Sequence, residues 1–324
     1  MRKRENIQGN AGIRIGIFFL KKALTSLALF LLISIFVFVA FSIVPGDPSQ
    51  QILADGWTPA GGAALDKQLG LDDPIPVRYV RFVWKAMHGD LGISYKTRLP
   101  VFSTVVTALK NSAQLAAVAV LIVLLLAVPV GTLAGIRRNS GFDATARTVA
   151  VLLSSIPTFV LGIVFIYIFA ANLHILPSEG MGSLRNLVLP ALTLSLFSFA
   201  GLLRMTRASV LEILPQDYVR AARARGIAFT KIIIKYVLRN AAIPLVTLGG
   251  LYAAEMIGTA VITEYIFAWP GLGTTAITAI QSRDIPMIQG SILTIAAIYI
   301  VVNSILDISY GIIDPRLRSG DGSS

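Results

Sequence analysis

Few side chains inside the long apolar runs of this sequence can do chemistry. Glu255 stands within the run 244–266, Ser195 and Ser198 within 187–203, and Asn303 within 287–308. An ionised carboxylate at mid-bilayer costs at least about 2.5 kcal/mol, so such a residue faces a water-filled path or a partner. Glu255 is therefore the candidate for a pathway residue that meets a cationic group. The same position also suits an acid that is protonated or paired to a neighbouring helix. Ser195, Ser198 and Asn303 can line the same path, and interhelical hydrogen bonding accounts for them equally well. Outside these runs the inventory is bare. There is no Cys, and His88 and His174 lie far apart, so the sequence shows neither thiol chemistry nor a metal-ligand cluster. Neither a GxxxxGK[ST] phosphate loop nor a GxSxG elbow occurs. The chain is not expected to be an enzyme or to hold a cofactor of its own.

The elements that would carry these groups follow from composition. Of 324 residues 55% are hydrophobic and 14% charged, and mean hydropathy is +0.75, values that fit an integral membrane protein rather than a soluble core. A spanning helix needs about 20 mainly apolar residues. By that measure six spans are expected, at 23–44, 113–136, 148–171, 187–203, 244–266 and 287–308, in an all-α integral membrane fold. The first run is longer than the roughly 7–15 residues of a signal-peptide core and is read as an anchor. Lys and Arg number six in 1–22, three in 137–147, eight in 204–243 and two after 308, against one each in 172–186 and 267–286. The rich segments face the cytoplasm. This makes 1–22 and 309–324 cytoplasmic and 45–112 extracytoplasmic, with 113–308 a five-helix core that includes the cytoplasmic loop 204–243. The net charge of +11 then reads as topology, and nucleic acid is not an expected partner.

Within that loop, "DYVRAARARGIAFTKIIIKYVLRN" (217–240) is basic yet built to fold. Pro215 and Asp217 offer a helix start, with Asp217 able to cap, and Gly226 offers a left-handed stop. On the short helix between them Tyr218, Ala221, Ala222 and Arg225 form one stripe at i, i+3, i+4 and i+7. The small residues at its middle would let another surface approach closely. Thr230 is expected to cap a second helix that leads into the fifth span. A solvated basic loop obeying the positive-inside bias is the plainer reading of the charges, but the order cap, helix, glycine, cap, helix favours a docking element.

This stretch resembles a known family, the inner-membrane permease subunits of ABC importers, in its dipeptide, oligopeptide and nickel branch. "AARARG" followed by "YVLRNAAIPL" is similar to the branch's "EAA" loop, the cytoplasmic coupling helix that sits in a groove of the ATPase subunit. Arg220 stands where the general pattern has Glu. The resemblance runs along nearly the whole chain through "FSIVPGDP" (41–48), "LGLDDPIPVRYVRF" (69–82), "GDLGIS" (89–94), "SIPTFVLGI" (155–163), "ITEYIFAWPGLG" (262–273), "SRDIPMIQG" (282–290) and "IDPRLR" (313–318). It implies a type I importer permease fold of six helices in the bacterial inner membrane. It implies that Asp217, Tyr218, Ala221, Ala222, Arg225 and Gly226 form the ATPase-coupling site. The partners it implies are a homologous second permease, an extracytoplasmic solute-binding protein, and two ATPase subunits that hold ATP and Mg.

The other motifs can be read from their residues. "PGDP" gives a rigid turn out of the first span. In "PVRYVRFVWKAM" Val80, Val83, Trp84 and Met87 make an apolar stripe and Arg78, Arg81 and Lys85 a basic one, as in a helix lying at a membrane surface. Such a helix can rest on lipid head groups or belong to a platform met by a binding protein. Gly131 and Gly135 form a GxxxG explained by helix packing, and Glu264 reads as a structural residue. A self-sufficient secondary carrier or channel would instead carry ionisable relays, broken helices or internal repeats within its spans. One mid-span acid and a docking loop favour the ATP-driven permease. Peptides lead among its solutes, with nickel complexes, glutathione-like thiols and other small solutes left open.

Overall fold

The computed structural model describes residues 2–43, 48–53 and 56–313, and the described residues are helical apart from turns and one isolated bridge between Ile93 and Pro100. In chain order the helices are α1 (Arg2–Ile43), α2 (Pro48–Leu53), α3 (Pro59–Leu69), α4 (Ile75–Met87), α5 (Val101–Ile136), α6 (Gly141–Ser155), α7 (Thr158–Phe165), α8 (Leu184–Ile213), α9 (Asp217–Ala224), α10 (Phe229–Ile232), α11 (Arg239–Ile266), α12 (Leu272–Gln281) and α13 (Ile285–Ile313). Wider π-type turns extend α7 through Ile166–Asn172 and join α10 to α11 through Ile233–Leu238. Residues 45–47 of the "PGDP" turn and the tail from residue 314, with most of "IDPRLR", lie outside the described residues.

Among the described residues five helical stretches are long and apolar enough to cross a membrane: Leu20–Ile43, Val101–Ile136, Leu184–Ile213, Phe229–Ile266 and Ile285–Leu306. The expected span 148–171 is not a single helix. It is split between α6 and α7, which meet at 101° around Ile156 and Pro157, and counts as a sixth span only if the bent pair is taken together. Pro157 explains the break, since proline disfavours helical geometry in the residue before it and offers no N–H to the turn behind it. The other expected spans lengthen rather than move. α1 begins at Arg2, so the basic segment is helical over 2–22, and α8 runs ten residues past its apolar stretch to Ile213.

The chain divides into two compact units. The first takes the described residues up to Ser112 together with Pro270–Ser304. Its core joins Val101, Val105 and Ala108 at the start of α5 to Leu272 and Ala279 of α12 and to Met287 and Ile288 of α13. Gly290 lets α13 approach, because a Cβ there would fall 2.4 Å from a Val101 methyl. α3 is set by Thr58, whose hydroxyl accepts the Gly61 N–H at 3.1 Å, and by Gly70 at φ +67°. α4 keeps the expected two stripes. Tyr79 and Phe82 meet Phe38 of α1, and the Tyr79 hydroxyl lies 2.7 Å from that of Ser34, while Val80, Trp84 and Met87 are 65–74% exposed. The turn after α4 is fastened by Asp284. Its buried carboxylate accepts the Ser94 hydroxyl and the backbone N–H groups of Tyr95, Lys96 and Met287. Burial, and then the nearby Asp284 carboxylate, raise the Tyr95 phenol above its ordinary pKa.

The second unit takes Ala113–Trp269 and the described residues from Ile305. Its main core runs along Leu115, Ala119, Val123 and Ala127 of α5, Leu187, Ala191 and Leu194 of α8, and Ala241, Leu245, Met256 and Ala260 of α11. The many alanines bring helix backbones close, where dispersion and packing take over the work that water does for a soluble core. The GxxxG pair acts in this way on α8. A Cβ at Gly131 would stand 2.7 Å from the Leu203 carbonyl oxygen, and one at Gly135 2.7 Å from a Val210 methyl. Glu264 is 1% exposed and sits in the same unit as the buried Phe267 and Trp269, in keeping with a structural role.

Candidate coupling site and transport pathway

The loop after α8 folds as two short helical pieces, and its first piece, α9, is the candidate coupling element. α8 ends in a turn in which the Gln216 N–H bonds the Ile213 carbonyl at 3.1 Å. Gln216 then takes the cap position in an extended conformation, and its side chain does not cap the helix but donates back to the Glu212 carbonyl at 3.4 Å. Asp217 is thus the first helical residue and not the cap expected for it. It is fully exposed and 3.8 Å from Arg220, where an acid still favours the positive helix terminus. The expected stop holds. Gly226 has φ +70°, its N–H bonds the Arg223 carbonyl at 2.9 Å, and the Ile227 N–H bonds the Ala222 carbonyl at 3.3 Å, the paired closure of a left-handed helix end. Thr230 does not cap the second piece. α10 begins one residue earlier, with Ala228 at the cap position.

α9 presents two faces, and they divide the expected stripe. Val219 and Ala222 are 0% exposed and pack with Val210 of α8, Ile232 of α10, and Ile233 and Val237 of the following π turns. Ala222 is therefore not on the face open to a partner, because the chain's own core occupies the space beside it. Asp217, Tyr218, Ala221, Arg225 and Gly226 remain on the surface, joined by Arg220, Arg223 and Ala224. Arg225 is the residue just after the helix, with its Nε 3.3 Å from the Ala221 carbonyl, and Arg223 stands over the Phe229 ring at 5.2 Å. The outward surface is a small residue flanked by an aromatic ring and three guanidinium groups. Such a surface can lie in a groove that supplies acidic or carbonyl acceptors.

The expected pathway residues are divided between the units, with Ser195, Ser198 and Glu255 in the second and Asn303 in the first. Ser195 and Ser198, at 1% and 2% exposure, belong to the packed side of α8, and the Ser195 hydroxyl bonds the Leu192 carbonyl of its own helix at 2.7 Å. They do not line an open path within their unit, since close packing of α8 fills the space. Asn303, in the first unit, donates to the Tyr299 carbonyl at 2.9 Å, also within one helix. Glu255 lies mid-way along α11, half-buried between the buried Ala254 and Met256, and its carbonyl accepts the Thr259 hydroxyl at 3.1 Å. Of the four it alone keeps an ionisable group near the surface of its unit.

A site that the residues did not announce lies beside the coupling loop. Asp143, 0% exposed in the first turn of α6, accepts Arg207 Nε at 2.5 Å and Nη2 at 2.9 Å, and also the Asn139 N–H at 3.0 Å. Arg147 adds a longer contact at 3.5 Å. Sixty-four positions separate the two main partners. The one local signal is Ser140, which caps α6 by accepting the Asp143 N–H and so fixes where that carboxylate begins.

Several helices of bilayer length joined by short structured loops describe a multi-pass membrane protein. The sequence comparisons specify which. The family described as "binding-protein-dependent transport system inner membrane component" matches residues 127–319, and its N-terminal membrane component matches residues 16–116. The dipeptide transport system permease protein of Escherichia coli (strain K12) is 35% identical over 321 residues, covering 89% of this chain and 95% of that protein. A probable peptide ABC transporter permease protein of Sinorhizobium fredii is 33% identical over 311 residues, covering 94% and 99%. The chain belongs to the family of inner-membrane permease components of binding-protein-dependent ABC importers.

Proposed function

We propose that the chain is one of two homologous permease subunits in an ATP-driven importer that carries peptides across the inner membrane by alternating access. The observation that supports this best is α9, a two-turn helix locked by Val219 and Ala222 onto its own chain, with Tyr218, Ala221 and the arginines left outward. In this reading the outward face lies in a groove of an ATPase subunit. Two such subunits hold ATP and Mg, and a solute-binding protein delivers cargo from the other side. ATP-driven closure moves α9, and the packed helices above it switch between two arrangements as rigid bodies. Both termini and the 204–243 loop face the cytoplasm, while 45–112 lies outside with α4 at the lipid surface. Glu255 meets a cationic group of the solute or of the gate.

The solute assignment follows the relatives' names and is tested by uptake. A strain lacking this chain should lose uptake of labelled dipeptides and regain it when the gene is restored. Loss of nickel uptake alone would move the assignment to metal complexes. Orientation is tested separately, because the native chain has no Cys. Gln68→Cys, on an exposed position of α3, should be labelled by an impermeant thiol reagent from outside the cell, and labelling only from inside would overturn the topology.

A further inference from the structure

α9 is too short to bear a load unaided, so whatever grips it acts on the elements packed against its inner face. One of those elements is α8, whose stretch Leu203–Val210 also meets two further helices. Val210 forms the floor under Val219 and Ala222. Gly131 and Gly135 of α5 press on Leu203, Thr206 and Val210, with no room for a Cβ between the helices. Between Thr206 and Val210 stands Arg207, and its guanidinium forks onto the buried carboxylate of Asp143 at the start of α6. One stretch of about two turns thus touches α5 through glycines, α9 through an apolar core and α6 through an ion pair.

The three contacts differ in what they constrain. Apolar packing holds helices together but tolerates small slides and rotations. A bidentate guanidinium–carboxylate pair fixes direction as well as distance. Such a pair is also a poor stabiliser, because burying both charges costs as much as their attraction returns, and apolar residues of similar size are often as stable. Its value here is geometric. α6 is in turn the first limb of the bent pair, and α7, the second limb, rests on α8 where Gly162 faces Thr193.

We infer that Asp143 and Arg207 are a positioning pair for coupling: they pin α6 to α8 so that displacement of α9 moves α5, α6 and α8 as one body. Without the pin, α8 shifts against α6 and the displacement is lost before it reaches the bent pair. This rests on the reading of α9 as the coupling helix.

The test uses the complete complex, with both permeases, both ATPase subunits and the binding protein, in proteoliposomes. Asp143→Asn and Arg207→Met should keep the ATPase subunits bound yet lower peptide taken up per ATP hydrolysed by about tenfold, within the range over which coupling mutations act. Because a single change leaves one buried polar partner, the deciding variant is the double Asp143→Leu/Arg207→Met. It should recover the thermal stability of the unmodified complex while uptake per ATP stays low. Recovery of both together, or normal uptake per ATP in the single variants, would show a merely structural contact and overturn the inference. The reading of α9 fails on a different result: Ala221→Trp, on the open face, leaving ATPase co-purification unchanged.

Discussion

Ala221 and Ala222 are neighbours of the same type on α9, the first exposed and the second buried, so one substitution made at each should have different consequences. Ala222 is sealed among Val210, Val219, Ile232, Ile233 and Val237. An indole forced into that space overpacks the core, which costs about 1–3 kcal/mol and occasionally more. At about 1.4 kcal/mol per tenfold, Ala222→Trp should raise the opening of this block by roughly fivefold to somewhat over a hundredfold. Ala221 is exposed, and surface changes stay within about 0.5 kcal/mol, so Ala221→Trp should leave the opening within about twofold. Gly226→Ala should fall between them. A Cβ there meets nothing within 4 Å, so the cost is that of holding an L-residue at φ +70°, about 1–2 kcal/mol. Amide hydrogen exchange over 217–238 in nanodiscs reads all three. Binding should invert the order for the alanines: Ala221→Trp should lose ATPase subunits while its amides stay protected. Equal exchange at 221 and 222, or faster exchange at 221, would refute the placement of α9.

The remaining predictions concern the two units separately. Gly131→Ala puts a methyl 2.7 Å from a backbone carbonyl that cannot swing away, and should cost about 1–3 kcal/mol, seen as a lower Tm of the purified permease. An undiminished Tm would mean that α5 and α8 do not touch there. Asp284→Ala removes the acceptor for one hydroxyl and three backbone N–H groups, so it should loosen residues 89–100 by about 1–3 kcal/mol and expose them to limited proteolysis. Glu255→Gln keeps size and hydrogen bonding but no charge. It should change the solute preference or pH profile of uptake in an assembled complex, and identical profiles for every accepted solute would leave Glu255 a structural residue.

Much of this protein was legible without coordinates because one solvent sets one length. Apolar runs near 20 residues mark bilayer helices at five of the six expected places, the run 148–171 being bent at Ile156 and Pro157, and a glycine such as Gly226 marks a helix end through its backbone freedom alone. These are local properties, carried by neighbours in the chain. The faces were not local. The i, i+3, i+4 spacing places Ala221 and Ala222 on one stripe, and only the packing of Val210, Ile232 and Val237 determines that the second alanine turns inward. Likewise Ser195 and Ser198 look like polar groups available to a path until the neighbouring helices close over them. The ion pair of Asp143 with Arg207 and the clamp of Asp284 on Ser94 span 64 and 190 positions, and a charged residue carries no mark of its distant partner. The period of a helix is written in its own residues, but which side is buried depends on what other segments bring to it, and that is decided only when the chain has folded.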